Sequence, residues 1–291
     1  MSENKILDTA KTLGFGTELE YTNISREGAA RAIQSVVVGN ISHTGGSYDT
    51  WTVTAPDGRK WKAVSDGSLG SRSTSAEVVT PILHWDDLDT LQKVVRALRH
   101  AGAKTPACTS QHVHIGVENF TAAQIANFAR IWYKQEKLLL KAIGTLPSRL
   151  AHYTKPTDRE FIERLEKMKP QTREQLNIAW YGYANPRPAH YDSTRYRAIN
   201  LNNVWTTGTV ELRCYENNDV MGTRRFVKHK SSRTSSPYFH RKPCRVGVWQ
   251  NQDAAFVLRY DFRKPPSREN MVISPSSSCG KGCIITPPMP E

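Results

Sequence analysis

The sequence predicts an α+β fold over residues 1–220, followed by a tail of different character over 221–291. Three observations carry that reading. The first 220 residues alternate stretches of period-two hydrophobicity with stretches of helical period. Four strand-like stretches, Gly16–Glu20, Gln111–Ile115, Arg195–Arg197 and Thr209–Arg213, each set polar, chemically capable side chains two residues apart. Of the 16 prolines, 8 fall in 221–291, with serine clusters at 231–236 and 274–278 and no amphipathic period.

The elements follow in order. Residues 14–22 read as a strand, and Ser25 caps a helix over about 26–38 with Ala29, Ile33 and Val36 on one face. After the Gly45-Gly46 break, Tyr48–Ala55 alternates threonine with Trp51 and Val53. The turn Pro56-Asp57-Gly58 returns the chain as Lys60–Val64, completing a hairpin. Ala76–Thr80 is a short strand closed by Pro81. Asp86–Ala101 is a helix with Leu88, Leu91, Val94 and Leu98 at helical spacing, ended by Gly102. His112–Val117 is the next strand. Thr121 starts a helix ending at Gly144, whose inward face would be Ile125, Phe128, Trp132, Leu139 and Ile143. Residues 157–183 are helical with a break at Pro170 and lead to an irregular stretch at 185–188. Strands near 195–201 and 208–215 complete the body.

Composition sets limits. A chain of 291 residues with 38% hydrophobic and 23% charged content can bury a substantial core as one large or two small domains. No apolar run approaches the roughly 20 residues that cross a bilayer. The N-terminal residues lack the apolar stretch of a signal peptide, so a cytoplasmic address and no membrane partner are expected. Five scattered cysteines fit reduced thiols better than a disulfide framework. Cys279 and Cys283 have metal-like spacing, but no second pair supports them. The net charge of +13 divides unevenly: residues 221–291 hold 13 Lys/Arg against 4 Asp/Glu, and residues 1–220 hold 27 against 23. The tail thus carries most of the basicity, and its composition reads as disordered.

The polar pairs carry the chemistry. In a strand, residues i and i+2 point to one face, so segments sharing a sheet would gather their functional groups on one wall. Glu18 and Glu20 are hard oxygen ligands suited to Mg²⁺, or else a solvated strand face. His112 and His114 would bind a metal or a phosphate, or be structural. Glu211 and Arg213 are a same-face ion pair, or a metal ligand beside a guanidinium that stabilises phosphoryl oxygens. Arg195 and Arg197, with Asn200, would line an anion pocket or an exposed edge. Asp66 shapes a turn, and Glu77, among apolar and small residues, wants a metal or a cation. Trp180, Tyr181, Tyr183 and Tyr191 either cover a substrate or pack in a core. No Ser-His-Asp order, P-loop or dinucleotide fingerprint competes.

Five motifs in order, Phe15–Glu20, Asp66–Leu69, Glu77–Pro81, His112–Gly116 and Thr209–Arg213, resemble the amidoligase family within the glutamine synthetase and glutamate–cysteine ligase superfamily of carboxylate–amine ligases. The resemblance covers about residues 14–215. It implies a curved, mainly antiparallel sheet lining an active site with helices outside, the glutamine synthetase-like catalytic fold. It also implies an ATP-dependent reaction with Mg²⁺ or Mn²⁺ that joins an amine to a carboxylate of an amino acid, peptide or polyamine. Carried over motif by motif, Glu18, Glu20, Glu77, His114 and Glu211 would be metal ligands. His112, Arg195, Arg197 and Arg213 would contact ATP phosphates, with Arg197 and Arg213 acting on the transferred group.

In the family the chain continues past the last strand into a regular helical region. Here the Ser/Arg/Pro-rich sequence departs from that pattern, which reads as a shift of reading frame near residues 218–223. Two other functions remain open on the residues alone. A basic nucleic-acid binder would use Phe226, Tyr238, Phe239 and Trp249 in the tail, and a metal-dependent phosphodiesterase would use His112 and His114.

Overall fold

In the computed structural model, residues 11–216 and three strand segments, 244–251, 254–260 and 271–275, are described. The chain divides into two units, Met1–Thr223 and Arg224–Glu291. The first unit contains an open eight-stranded antiparallel sheet with helices, an α+β arrangement.

Its strands are β1 (Phe15–Thr22), β2 (Asn40–Gly45), β3 (Thr50–Thr54), β4 (Lys60–Val64), β5 (Ser75–Val79), β6 (Ser110–Gly116), β7 (Ile199–Asn200) and β8 (Thr209–Glu216), in spatial order β2-β3-β4-β5-β1-β6-β8-β7. The helices are α1 (Arg26–Val37), α2 (Leu88–His100), α3 (Ala122–Ile143), α4 (Pro147–His152), α5 (Arg159–Met168) and α6 (Arg173–Tyr181). Within the described residues, none is long and apolar enough to cross a membrane.

Local signals explain most boundaries. The Ser25 side chain accepts from Gly28 N and starts α1, and Thr121 and Gln124 close a reciprocal capping box on α3. The α3 helix ends where Gly144 turns left-handed at φ 80°. Of the face expected inward on that helix, Ile125 and Trp132 are buried, whereas Phe128, Leu139 and Ile143 are half-buried. Proline 170 separates α5 from α6, since it can continue neither helix.

One core follows from strict alternation along β1 and β5. Leu19, Tyr21, Ala76 and Val78 point one way and pack with Ala29, Ile33, Val94 and Leu98 of α1 and α2. Their neighbours Glu18, Glu20 and Glu77 therefore point to the opposite face. A second group of buried apolar side chains includes Phe161, Leu165, Leu176 and Trp180 of α5 and α6, with the Phe161 and Trp180 rings edge-on at 4.8 Å.

One strand is added to the expected elements and one expectation is corrected. Asn40–Gly45 is a strand that hydrophobic alternation does not reveal: it pairs only with β3 at the sheet's edge, and its side chains are exposed or half-buried. Arg195, Tyr196 and Arg197 do not form a strand. Ser193–Arg195 is a 3-10 turn capped by Asp192, and the last strand before β8 is only Ile199–Asn200. The Asp192 cap and local ring contacts outcompete the i, i+2 pattern there.

In the second unit, β9 (Cys244–Asn251), β10 (Ala254–Tyr260) and β11 (Met271–Pro275) pair antiparallel in the order β11-β10-β9. The rest of the tail expected to be disordered, the Cys279–Cys283 pair, and the side chains of Phe226, Tyr238, Phe239 and Trp249 lie outside the described residues.

Candidate metal and phosphoryl site

Cross-strand register brings the distant motifs together. Glu20 lies opposite Glu77 across β1–β5, Glu18 opposite His112 across β1–β6, and His114 opposite Glu211 across β6–β8. Directly opposed residues sit about 5 Å apart at Cβ, so three pairings on four adjacent strands build one polar wall. Glu18, Glu20, Glu77, His112, His114, Glu211 and Arg213 all belong to it.

In one half of the wall, every carboxylate meets a cationic or donor group. Glu211 is 1% exposed, and its Oε2 accepts from Asn200 Nδ2 at 2.7 Å and Asn203 Nδ2 at 3.0 Å. Its Oε1 accepts from Arg213 Nη1 at 2.6 Å and lies 3.5 Å from His112 Nδ1. Burial pushes the Glu211 carboxyl up, but Arg213, His112 and His114 outweigh it, and the group is held below its ordinary value. Glu18 follows the same balance. Burial raises it, yet the hydrogen bond with His112 (2.9 Å) and the His114 ring, whose Nε2 lies 3.3 Å away, bring it well below the usual carboxylate range.

The two histidines differ. The His112 ring is engaged at both nitrogens, by Glu18 at Nδ1 and by Ser110 Oγ at 3.3 Å on Nε2. His114 places Nδ1 3.1 Å from Thr209 Oγ1, while its buried Nε2 has no hydrogen-bond partner. Nδ1 also faces the Asn203 Nδ2 donor at 3.4 Å, and Nε2 faces Glu18 and Glu211. Burial lowers the His114 pKa, but the adjacent Glu18 carboxylate, 3.3 Å from Nε2, and the charge of Glu211 raise it above its ordinary value overall.

The other half is crowded with like charge. Glu20 Oε2 accepts from Ser110 N at 2.7 Å, and burial still pushes this carboxyl up. Glu77 is pushed well above its ordinary value, first by burial and then by the charges of Glu18, Asp66 and Glu20. Carboxylates held so close need a proton or a cation between them.

Among the described residues, three sets of ligand atoms lie within 4.8 Å of one another: Glu18, His114 and Glu211; Glu18, Glu77 and His112; and Glu20, Asp66 and Glu77. The donor chemistry fits divalent cations, with carboxylate oxygens throughout and a buried, unpartnered His114 Nε2 in the first set. Asp66, read from sequence as a turn residue, does cap a 3-10 turn by accepting from Ser68 N, and it also joins the third set. Asn203, which donates to Glu211, is not among the residues the sequence points to, and Thr209, which meets His114, enters only as the first residue of its strand motif. The only signal for Asn203 is a polar side chain beside the last two strands.

The remaining arginines sit apart from the wall. Arg197 donates to Pro156 O at 2.8 Å and to Asp158 Oδ2 at 3.2 Å. Arg195 donates to His190 O at 3.0 Å and lies over the Tyr191 ring. Asn200 joins Glu211 rather than either arginine. Trp180 and Tyr181 are buried, whereas Tyr183 and Tyr191 are 60% and 64% exposed.

Beside Glu18 and His114 opens a cavity of about 290 Å³. Gly14, Gly16 and Gly116 contribute no side chains to it, and its lining also includes Val79, Pro81, Ile82, Thr209 and the Glu118 carboxylate. The Gly16 position is open enough that an added Cβ would meet nothing closer than 3.7 Å.

No curated protein and no solved structure matches the chain. The family model described as "Putative amidoligase enzyme" matches residues 11–218, ending where the composition changes. The wall of carboxylates, imidazoles and guanidinium lies wholly within the matched region, and the chain belongs to this amidoligase family.

Proposed function

We propose that the protein is a carbon–nitrogen ligase that uses ATP and divalent cations to join a carboxylate to an amine through an acyl phosphate, on a sheet of the glutamine synthetase-like kind. The observation that supports this best is the convergence of Glu18, Glu20, Glu77, His114 and Glu211 from four strands, with Arg213 beside them. Family membership supports ligase chemistry at the coarser level.

Mg²⁺ or Mn²⁺, when bound, would neutralise phosphoryl oxygens. Glu18, His114 and Glu211 would hold one cation, and Glu20, Glu77 and Asp66 a second. Arg213 donates to Glu211 through Nη1 and keeps a buried Nε without a partner, so its guanidinium has a donor to offer phosphoryl oxygen. His112 locks Glu18 in place. The glycine-floored cavity next to Glu18 and His114 suits the flat ring of the nucleotide.

The reaction then has two displacements. A substrate carboxylate oxygen bonds to the γ-phosphorus as the β–γ bridging P–O bond breaks, and ADP leaves with the electron pair. The amine nitrogen next attacks the activated carbonyl carbon, phosphate departs, and the amine loses a proton. The amine and carboxylate belong to amino acids, peptides or polyamines, and the address is cytoplasmic. The test mixes protein, Mg·ATP and pools of carboxylates and amines, reading ADP and dehydrated conjugates by mass spectrometry. ADP formation that requires both pools supports the reading. Phosphodiester cleavage without ADP would replace it with the phosphodiesterase alternative.

A further inference from the structure

Tyr48 and Tyr191 are 143 positions apart, and their hydroxyls meet at 2.8 Å. Tyr48 sits in the turn between β2 and β3, and Tyr191 in the segment leading to β7. From β3 to β7 the strand order takes six steps, about 29 Å at the usual strand spacing and more than two tyrosine side chains span. The segments carrying them therefore lean toward each other over one face of the sheet.

That face is the polar one. The Tyr48 carbonyl accepts from Ser65 N at 2.8 Å, and Ser65 adjoins Asp66 of the carboxylate set. On the other side, the His190 ring packs edge-on against Tyr191 at 4.6 Å. The neighbouring Ala189 O accepts from Asn202 Nδ2 at 3.2 Å, Asn202 N donates to Asn200 Oδ1 at 2.8 Å, and Asn200 Nδ2 donates to Glu211, so a chain of hydrogen bonds links this segment to the wall.

Both partners sit on segments held by their neighbours. The Tyr48 turn is anchored at each neighbour: Arg72 donates to Ser47 O, and Arg26 pairs with Asp49. Tyr191 lies on an irregular stretch between α6 and the 3-10 turn at Ser193, and its side chain is 64% exposed. This arm is pinned as well, by the Asn177 side chain at Asn185 and by Arg195, which donates to His190 O at 3.0 Å.

We propose that Tyr48 and Tyr191 are positioning residues whose hydroxyl–hydroxyl bond clasps the 183–195 segment across the polar wall and shields the acyl phosphate from water. The inference rests on the ligase reading for its chemical consequence and on geometry alone for the clasp. With the arm released, water attacks the acyl carbon in place of the amine and regenerates the carboxylate and phosphate, so ATP and water give ADP and phosphate with no amide.

The test uses the full chain, Tyr48→Phe and Tyr191→Phe, two conservative surface changes. Hydrogen–deuterium exchange should quicken about fivefold in 183–195, the amount one lost hydrogen bond yields, and stay unchanged in β1 and α1. In parallel, Mg·ATP, the twenty amino acids as carboxylates and hydroxylamine as the amine are supplied, and the ratio of ADP to hydroxamate is measured. It should rise about fivefold in both variants. Unaltered exchange in both variants overturns the clasp, and faster exchange with an unaltered ratio overturns its shielding role. A wild-type protein forming neither ADP nor hydroxamate overturns the ligase reading instead, and the exchange measurement still decides the clasp.

Discussion

The two halves of the polar wall solve the same electrostatic problem in opposite ways. Around Glu211 and Glu18 the fold supplies its own counter-charges, Arg213, His112 and His114, and both carboxyls are held below their ordinary values. Around Glu77 and Glu20 it supplies mainly more carboxylate, and both are pushed up. The first half is charge-balanced by the protein before any cation binds. The second is complete only with a proton or an external cation, which is what a site that exchanges metal with solvent requires.

The largest expected effect lies in the charge-balanced half. Glu211→Gln keeps the shape but loses the charge that faces His114 and Arg213, and ADP formation should fall about 10³-fold, as when a transition-state electrostatic group is removed. Stability should then separate the halves by sign. Arg213→Ala leaves Glu211 buried without its guanidinium and should cost about 3 kcal/mol in denaturant titration. Glu77→Gln removes a crowded carboxylate whose ionised form burial and neighbouring carboxylates disfavour, and should stabilise the metal-free protein. Equal signs would erase the contrast.

The smallest effect is in pH dependence. Glu20 and Glu77 have folded-state values above the ordinary 4.5. As pH rises past that value the unfolded chain loses these protons first, so metal-free stability should decline through their raised values. His114, raised above 6.5, adds a loss in the same direction at higher pH. Glu18 and Glu211 behave oppositely, contributing stability above 4.5 that is lost as pH falls through their lowered values. Melting curves from pH 5 to 8 should therefore slope downward in EDTA and flatten with Mn²⁺, which takes the place of the protons. A slope unmoved by Mn²⁺ would contradict the exchange.

Much of this was legible in sequence because alternation on a strand is local. Glu18 and Glu20, His112 and His114, and Glu211 and Arg213 were placed on shared faces by spacing alone, and the structure keeps each pair on the polar side. Which residues meet was not legible, since register is set by pairing partners distant in sequence. The Glu20–Glu77 and His114–Glu211 oppositions appear only when β5, β1, β6 and β8 lie side by side. The i, i+2 rule misled at Arg195 and Arg197, where a capped turn replaces the strand. Edge strand β2 escaped because it lacks an alternating apolar face. Asn203 was invisible for another reason: a short polar residue after a strand is ordinary until its amide is found on Glu211.

The most direct measurement is a Mn²⁺ titration of the full chain followed by electron paramagnetic resonance, with Glu211→Gln and Glu77→Gln alongside. Two saturable ions per chain are predicted for the wild type, with each variant losing a different one. No saturable Mn²⁺, or the same stoichiometry in all three proteins, would contradict a wall built as two adjoining cation sites.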